Sequence, residues 1–256
     1  MFTLLLQLQS FTQLILAQDY QLNHNMMNIE RTLFLFQDGD ERVNNLSDDY
    51  FGLGNLLNRL LNEVYDGKKI KFINLYFHTN KTYALYPVIP KEESYYYGGH
   101  LKYYGVFDKE QFEKLSKTEQ DKYVWEKAYI YIKRSAEFIK NNQLLDAAEY
   151  AYLKGIERDL NPDYRLLDLG INISNQELRV SLWINFRIDG MYSKLTIEND
   201  DEIIFEKEID KTKKGVEFFL EIYKTLEFDG NNIIIKGRKD VDYLPLKVPI
   251  SELITN

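Results

Sequence analysis

Apolar and polar positions alternate without a break over residues 178–188. Leu178, Val180, Leu182, Ile184, Phe186 and Ile188 fall on one side, and Arg179, Ser181, Trp183, Asn185 and Arg187 on the other. A period of two places successive side chains on opposite faces of a strand. Asp189-Gly190 reads as a two-residue hairpin turn needing positive φ. A strand is expected over 191–198, a turn over 199–201 and a third strand over 203–209, together an antiparallel meander with one buried face. Beyond it, Asp210 or Thr212 is expected to cap a helix carrying Val216, Phe219, Leu220 and Tyr223, although that segment also alternates at period two. A last strand is predicted over 233–236, and Pro245 and Pro249 keep the tail extended.

The first half alternates strand and helix patterns. Leu33, Phe34, Leu35 and Phe36 predict a strand over 29–36, closed by Asp38-Gly39-Asp40. Ser47 reads as a helix N-cap with Asp48 and Asp49 in the first turn. Leu53, Leu56, Leu57, Leu60, Leu61 and Val64 form one helical stripe that Gly67 ends. Strands over 70–77 and 82–89 read as a hairpin joined by His78-Thr79-Asn80-Lys81, with Pro87 and Pro90 stopping the second. A loop over 91–99 and a strand over 101–107 follow.

From Asp108 the pattern is helical. Asp108 caps a segment over 109–115, Ser116 or Thr118 caps a longer helix to about residue 140, Asn141-Asn142 breaks it, and a second helix covers 144–159. Ala136 on the first helix, Ala148, Tyr152 and Gly155 on the second, and Pro162 after them resemble one tetratricopeptide unit of about 34 residues. Pro162 falls late and Ile132 stands where that family has Trp. The resemblance implies a packed helix pair; a solenoid needs about three such units, and only one is found.

These elements predict an α+β protein: an N-terminal β-α-β-β lobe and a C-terminal antiparallel meander around a central antiparallel helical hairpin, the tetratricopeptide-like pair. An apolar extension covers 1–26, an α+β lobe 27–165 with its hairpin at 108–160, and a sheet lobe 166–256, all packed as one globular unit.

The extension begins MFTLLLQLQSFTQLILA. No Lys or Arg precedes Arg31, and Gln7, Gln9, Ser10, Thr12 and Gln13 interrupt the run, which is short of the ~20 apolar residues that cross a bilayer. The expectation is a cytoplasmic protein whose extension is either spurious, with translation starting at Met26 or Met27, or merely disordered; the alternative is export with residues 1–17 as signal peptide.

Composition narrows the chemistry. The 256 residues contain no cysteine, which excludes disulfides, thiolate metal sites and a Cys nucleophile. The formal charge of −8 disfavours nucleic acid and anionic membranes and suits a basic protein partner. His24, His78 and His100 are scattered without metal-ligand spacing. Asp38, Asp40 and Asn44 hint at a calcium loop, but Val43 stands where an EF-hand needs Gly and Asp49 where it needs Glu. No nucleophile elbow or phosphate loop occurs, and Gly52-Leu53-Gly54 falls inside a helical stripe. Glu92-Glu93, Asp48-Asp49 and Asp200-Asp201-Glu202 read as solvated turns rather than acid/base pairs. No cofactor is expected.

One cluster remains. Tyr95, Tyr96, Tyr97, Tyr103 and Tyr104 flank Gly98-Gly99-His100, with Glu92 and Glu93 beside them. Tyr offers large contact area at small entropic cost, which suits recognition. A second candidate surface is the outward meander face with Arg179, Trp183 and Arg187. The expected function is non-enzymatic protein binding, in its most concrete form the neutralising of a partner as bacterial immunity proteins neutralise toxins. The alternative is a hydrolase with a dispersed carboxylate site acting on a small or saccharide substrate.

Overall fold

The computed structural model describes residues 29–173, 175–200 and 202–250. The extension and its leader reading lie outside the described residues. In chain order the elements are β1 (Arg31–Asp38), β2 (Glu41–Arg42), α1 (Asn44–Asp49), α2 (Phe51–Asn62), β3 (Phe72–His78), α3 (Asn80–Leu85), β4 (Glu93–Tyr97), β5 (His100–Val106), α4 (Lys109–Phe112), α5 (Lys117–Phe138) and α6 (Asn142–Glu157). There follow β6 (Tyr164–Ile173), β7 (Gln176–Arg187), β8 (Gly190–Asn199), β9 (Glu202–Thr212), a 3₁₀ turn (Glu217–Glu221), β10 (Tyr223–Phe228), β11 (Asn232–Gly237) and β12 (Leu246–Pro249). The chain is α+β, with one mixed and two antiparallel sheets.

The described chain divides into two compact units, one of residues 29–42 with Leu57–Leu160, the other of Val43–Leu56 with residues 161–250. In the first, five strands run in the order β2-β1-β3-β5-β4. β1, β3 and β5 are parallel, and β2 and β4 pair antiparallel at the edges. Alternation decides the faces: Phe34, Phe36, Ile73, Leu75, Phe77, Leu101 and Tyr103 are buried, while Leu33, Leu35, Phe72, Tyr76 and Tyr104 between them are half-buried. Helices cover the buried face. Asn58 of α2 accepts from Thr32 Oγ1 at 2.9 Å, and the α5 Tyr131 ring stacks on Tyr103 at 4.5 Å. Gly105 is required there, since a Cβ would lie 2.0 Å from Tyr131 Cζ.

The helical hairpin forms as its caps predict. Ser116 accepts from Glu119 N while Glu119 reaches back to Ser116 N at 2.8 Å, a capping box. Asn141 caps α6 through Leu144 N at 3.1 Å.

Two expectations in this unit are corrected. Residues 82–89 are not a strand: Thr79 accepts from Thr82 N at 3.3 Å and opens α3. Since β3 and β5 are parallel, a crossover and not a tight hairpin must join β3 onward. Residues 91–99 are not a loop, because β4 occupies 93–97 and returns to β5 through Gly98 and Gly99, at φ 56° and 84°. Both values are the left-handed turn that glycine takes without strain.

The second unit is two antiparallel sheets, β6-β7-β8-β9 and β10-β11-β12. Val180, Leu182, Ile184, Met191, Leu195 and Ile197 form its core with Phe219, Ile233 and Ile235. The three strands of the meander form as predicted, with β6 added ahead of them. They do not have a single buried face, however: Ser181, Thr196 and Glu198 on the opposite side are buried as well. The register also differs at one turn. Arg187 pairs with Gly190, so Ile188-Asp189 makes the turn, and Ile188 is 90% exposed rather than core. Gly190 lies in the strand, where a Cβ would come within 2.4 Å of Thr212 O. The helix expected after residue 210 is not formed. β9 continues to Thr212, a single 3₁₀ turn buries Phe219, and Tyr223 starts β10. Ser47 does not open a helix as expected: it lies inside α1, which starts after Val43 and is separated from α2 by Tyr50.

Among the described residues, no helix is long and apolar enough to cross a membrane.

Candidate functional site

The β4–β5 hairpin sorts the tyrosine cluster by alternation. Tyr103 points to the helices and is 1% exposed. Its hydroxyl donates to Glu92 Oε2 at 2.6 Å, and Arg134 Nη1 meets the same oxygen at 2.5 Å. Burial first, then the hydrogen bond to Glu92, pushes the Tyr103 hydroxyl up to about 12. Tyr96 also turns inward, donating to Lys69 O at 2.7 Å. Glu92 sits at φ 56°, a left-handed residue held by this network. These three belong to the scaffold.

The other side chains line the second face. Tyr95 and Tyr97 are 50% and 75% exposed, and Glu93 is exposed between them and the strand end. Tyr104 stacks on Tyr76 at 4.9 Å, Phe72 on His100 at 4.6 Å, and Lys102 Nζ lies 5.8 Å from the Tyr95 ring. The rings therefore stack in two pairs, Phe72–His100 and Tyr76–Tyr104, with Asn74 and Lys102 in the row between them, on strands whose parallel members ordinarily are covered on both sides. The sequence separated these residues into one linear cluster; only strand pairing adds Tyr76, Phe72, Leu33 and Leu35 to the face.

The meander candidates are engaged locally. Arg165 lies 4.8 Å over the Trp183 ring, and Trp183 Nε1 donates to Thr196 Oγ1 at 3.0 Å. Arg187 covers the Tyr192 ring at 4.3 Å and faces Glu208 at 3.6 Å. Arg179 pairs with Asp168 at 2.6 Å.

A third group lies at the carboxyl ends of β1, β3 and β5, where open parallel sheets place ligands. Asp38 accepts from Thr79 Oγ1 at 2.9 Å and Lys109 Nζ at 3.1 Å, and these bonds hold its carboxyl below the usual range. Sequence reading missed the group because its members are 41 and 71 positions apart. The signal was present in Asp38-Gly39-Asp40 directly after an apolar strand.

His78 is next to this group, 2% exposed among the Tyr76, Tyr83 and Tyr104 rings, and its Nδ1 is buried without a hydrogen bond. Burial lowers it from 6.5 to about 4. A neutral imidazole is what the fold accepts, so this contribution is complete above pH 6.5 and is lost as pH falls through 4. The loss is at most about 3 kcal/mol. Urea unfolding at neutral and acid pH should show a steeper loss for the native chain than for His78→Gln. Equal losses would refute it.

Two open depressions, of about 300 and 370 Å³, are lined by Tyr65, Lys68, Lys69 and Asn141, and by Asn45, Asp48, Asp189 and Lys214. Neither coincides with the aromatic face. Among the described residues no group of three His, Asp or Glu side chains is placed to hold a metal. Chemically, the aromatic face can bury apolar surface against a partner, and its fringe of hydroxyls can accept or donate hydrogen bonds.

No family model matches the chain, and no curated protein and no solved structure is significantly similar to it.

Proposed function

We propose that the chain works by binding another protein through the outer face of its mixed sheet, as a neutraliser caps its target. The observation that supports this most is the pair Tyr95 and Tyr97, 50% and 75% exposed on a face already paved by the Tyr76–Tyr104 stack. Exposed aromatics rimmed by polar groups are the composition of interface anchors. The net charge of −8 and Glu93 at the margin favour a basic partner.

The test is co-purification from the native host with Tyr97→Ala and Tyr104→Ala. Neither change touches the Tyr103–Glu92–Arg134 network, and because Tyr104 borders the buried His78, circular dichroism checks that the double variant is folded. The folded variant should bind the partner at least about tenfold more weakly, a loss of ~1.4 kcal/mol. Retention of the partner at native affinity by the double variant would overturn the proposal.

One observation favours the alternative, a hydrolase with a dispersed carboxylate site: Asp38, Thr79 and Lys109 meet at the carboxyl ends of parallel strands. Hydrolysis of a small ester or saccharide that is lost in Asp38→Asn would support it over binding.

A further inference from the structure

The outer edge of β4 is built to accept a strand. Phe72 N donates to Gly99 O at 3.1 Å, so β3 uses the backbone groups flanking His100, which leaves His100, Lys102 and Tyr104 to pair with β4. Their partners are Tyr97, Tyr95 and Glu93, which therefore turn N–H and C=O inward. Ser94 and Tyr96 turn theirs away from β5. Among the described residues β4 ends the sheet, and no backbone group meets Ser94 or Tyr96 on that side.

Edges of sheets are normally guarded by charge, proline or a bulge. β9, at the end of the meander, carries Glu202, Glu206, Lys207, Glu208, Asp210 and Lys211. β4 reads ESYYY, with a single charge at its end and no register shift against β5.

We propose that β4 pairs antiparallel with β4 of a second copy of this chain, about a twofold axis at Tyr95, joining two mixed sheets into one. The strand is complementary to itself in this register. Ser94 meets the partner's Tyr96, and Tyr96 meets the partner's Ser94, each exchanging two backbone bonds, about four in all. Tyr95 then faces the partner's Tyr95 in the closer, non-hydrogen-bonded pair, where side chains make their strongest cross-strand contact. Glu93 opposes the partner's Tyr97, so no two carboxylates face each other. Closed twofold pairing of one patch with itself is the commonest way soluble chains associate. The inference uses the edge of the sheet, and stands whether or not its outer face binds a different protein.

Sedimentation velocity of the full chain across the micromolar range tests it. The native chain should dimerise. Tyr95→Lys sets two ammonium groups against each other at the axis without altering the backbone, and should weaken association at least about tenfold. Ser94→Pro removes an outward N–H, leaves every β5 bond intact, and should do the same. Circular dichroism reports whether each variant is folded. A native chain that stays monomeric throughout overturns the proposal, as does dimerisation of the folded Tyr95→Lys variant at native strength. Tyr97→Ala with Tyr104→Ala should leave the dimer in place, which separates this result from loss of a different partner.

Discussion

Truncating Trp125 to alanine is expected to lower stability by about 3–5 kcal/mol, the cost of emptying a large aromatic site in a core that relaxes only in part. Trp125 is 2% exposed on α5, and its Nε1 donates to Tyr152 O of α6 at 3.1 Å, so the change removes both packing and a hydrogen bond. The site is closed from the other helix by Gly155, where a Cβ would come within 2.2 Å of the indole Cζ2. Gly155→Ala alone should therefore destabilise by about 1–3 kcal/mol through overpacking. In the Trp125→Ala background the obstruction is gone, and alanine's helix preference of about 1 kcal/mol over glycine should make the same change stabilising. A urea-unfolding cycle of the four proteins checks this reversal. If Gly155→Ala costs the same in both backgrounds, the two residues are not the joint that holds the hairpin together.

That joint marks where sequence reading reached and where it stopped. Caps are local, so Asp108 was legible, and Ser116 of the pair Ser116 or Thr118, and each accepts the backbone N–H expected of it, whereas Asn141, read only as a break, proves to cap the second helix. Gly155 was legible as a tetratricopeptide-like position, but the residue that needs it, Trp125, is 30 positions away and no periodicity links them. The meander was legible because alternation over eleven residues has no helical counterpart. Residues 82–89 misled because a short apolar segment fits strand and helix alike, and the decision came from the parallel pairing of β3 with β5. Of the candidate surface, the alternation of β4 could have shown that Tyr95 and Tyr97 part company from Tyr96. Tyr76 and Phe72 could not have been added, since they join the face only through hydrogen-bonded neighbours in another strand.

The outward face of the meander yields the other large effect. Arg165→Ala should destabilise the chain by about 3–5 kcal/mol, because it leaves a buried carboxylate without its cation. Glu198 is 4% exposed and receives Arg165 Nη2 at 2.6 Å, while Thr196 Oγ1 donates to its other oxygen at 3.3 Å. Arg165 also lies over Trp183, whose own N–H is taken by Thr196, so cation, ring, hydroxyl and carboxylate form one connected layer. The pair is costly to break yet contributes little net: burying two charges offsets most of their attraction. The double change Arg165→Met with Glu198→Leu should accordingly return stability to within about 1 kcal/mol of native, or above it. Chemical denaturation of the single and double variants measures both. A harmless Arg165→Ala would mean that water reaches Glu198, and the layer would then be a solvated surface from which Trp183 could meet a partner.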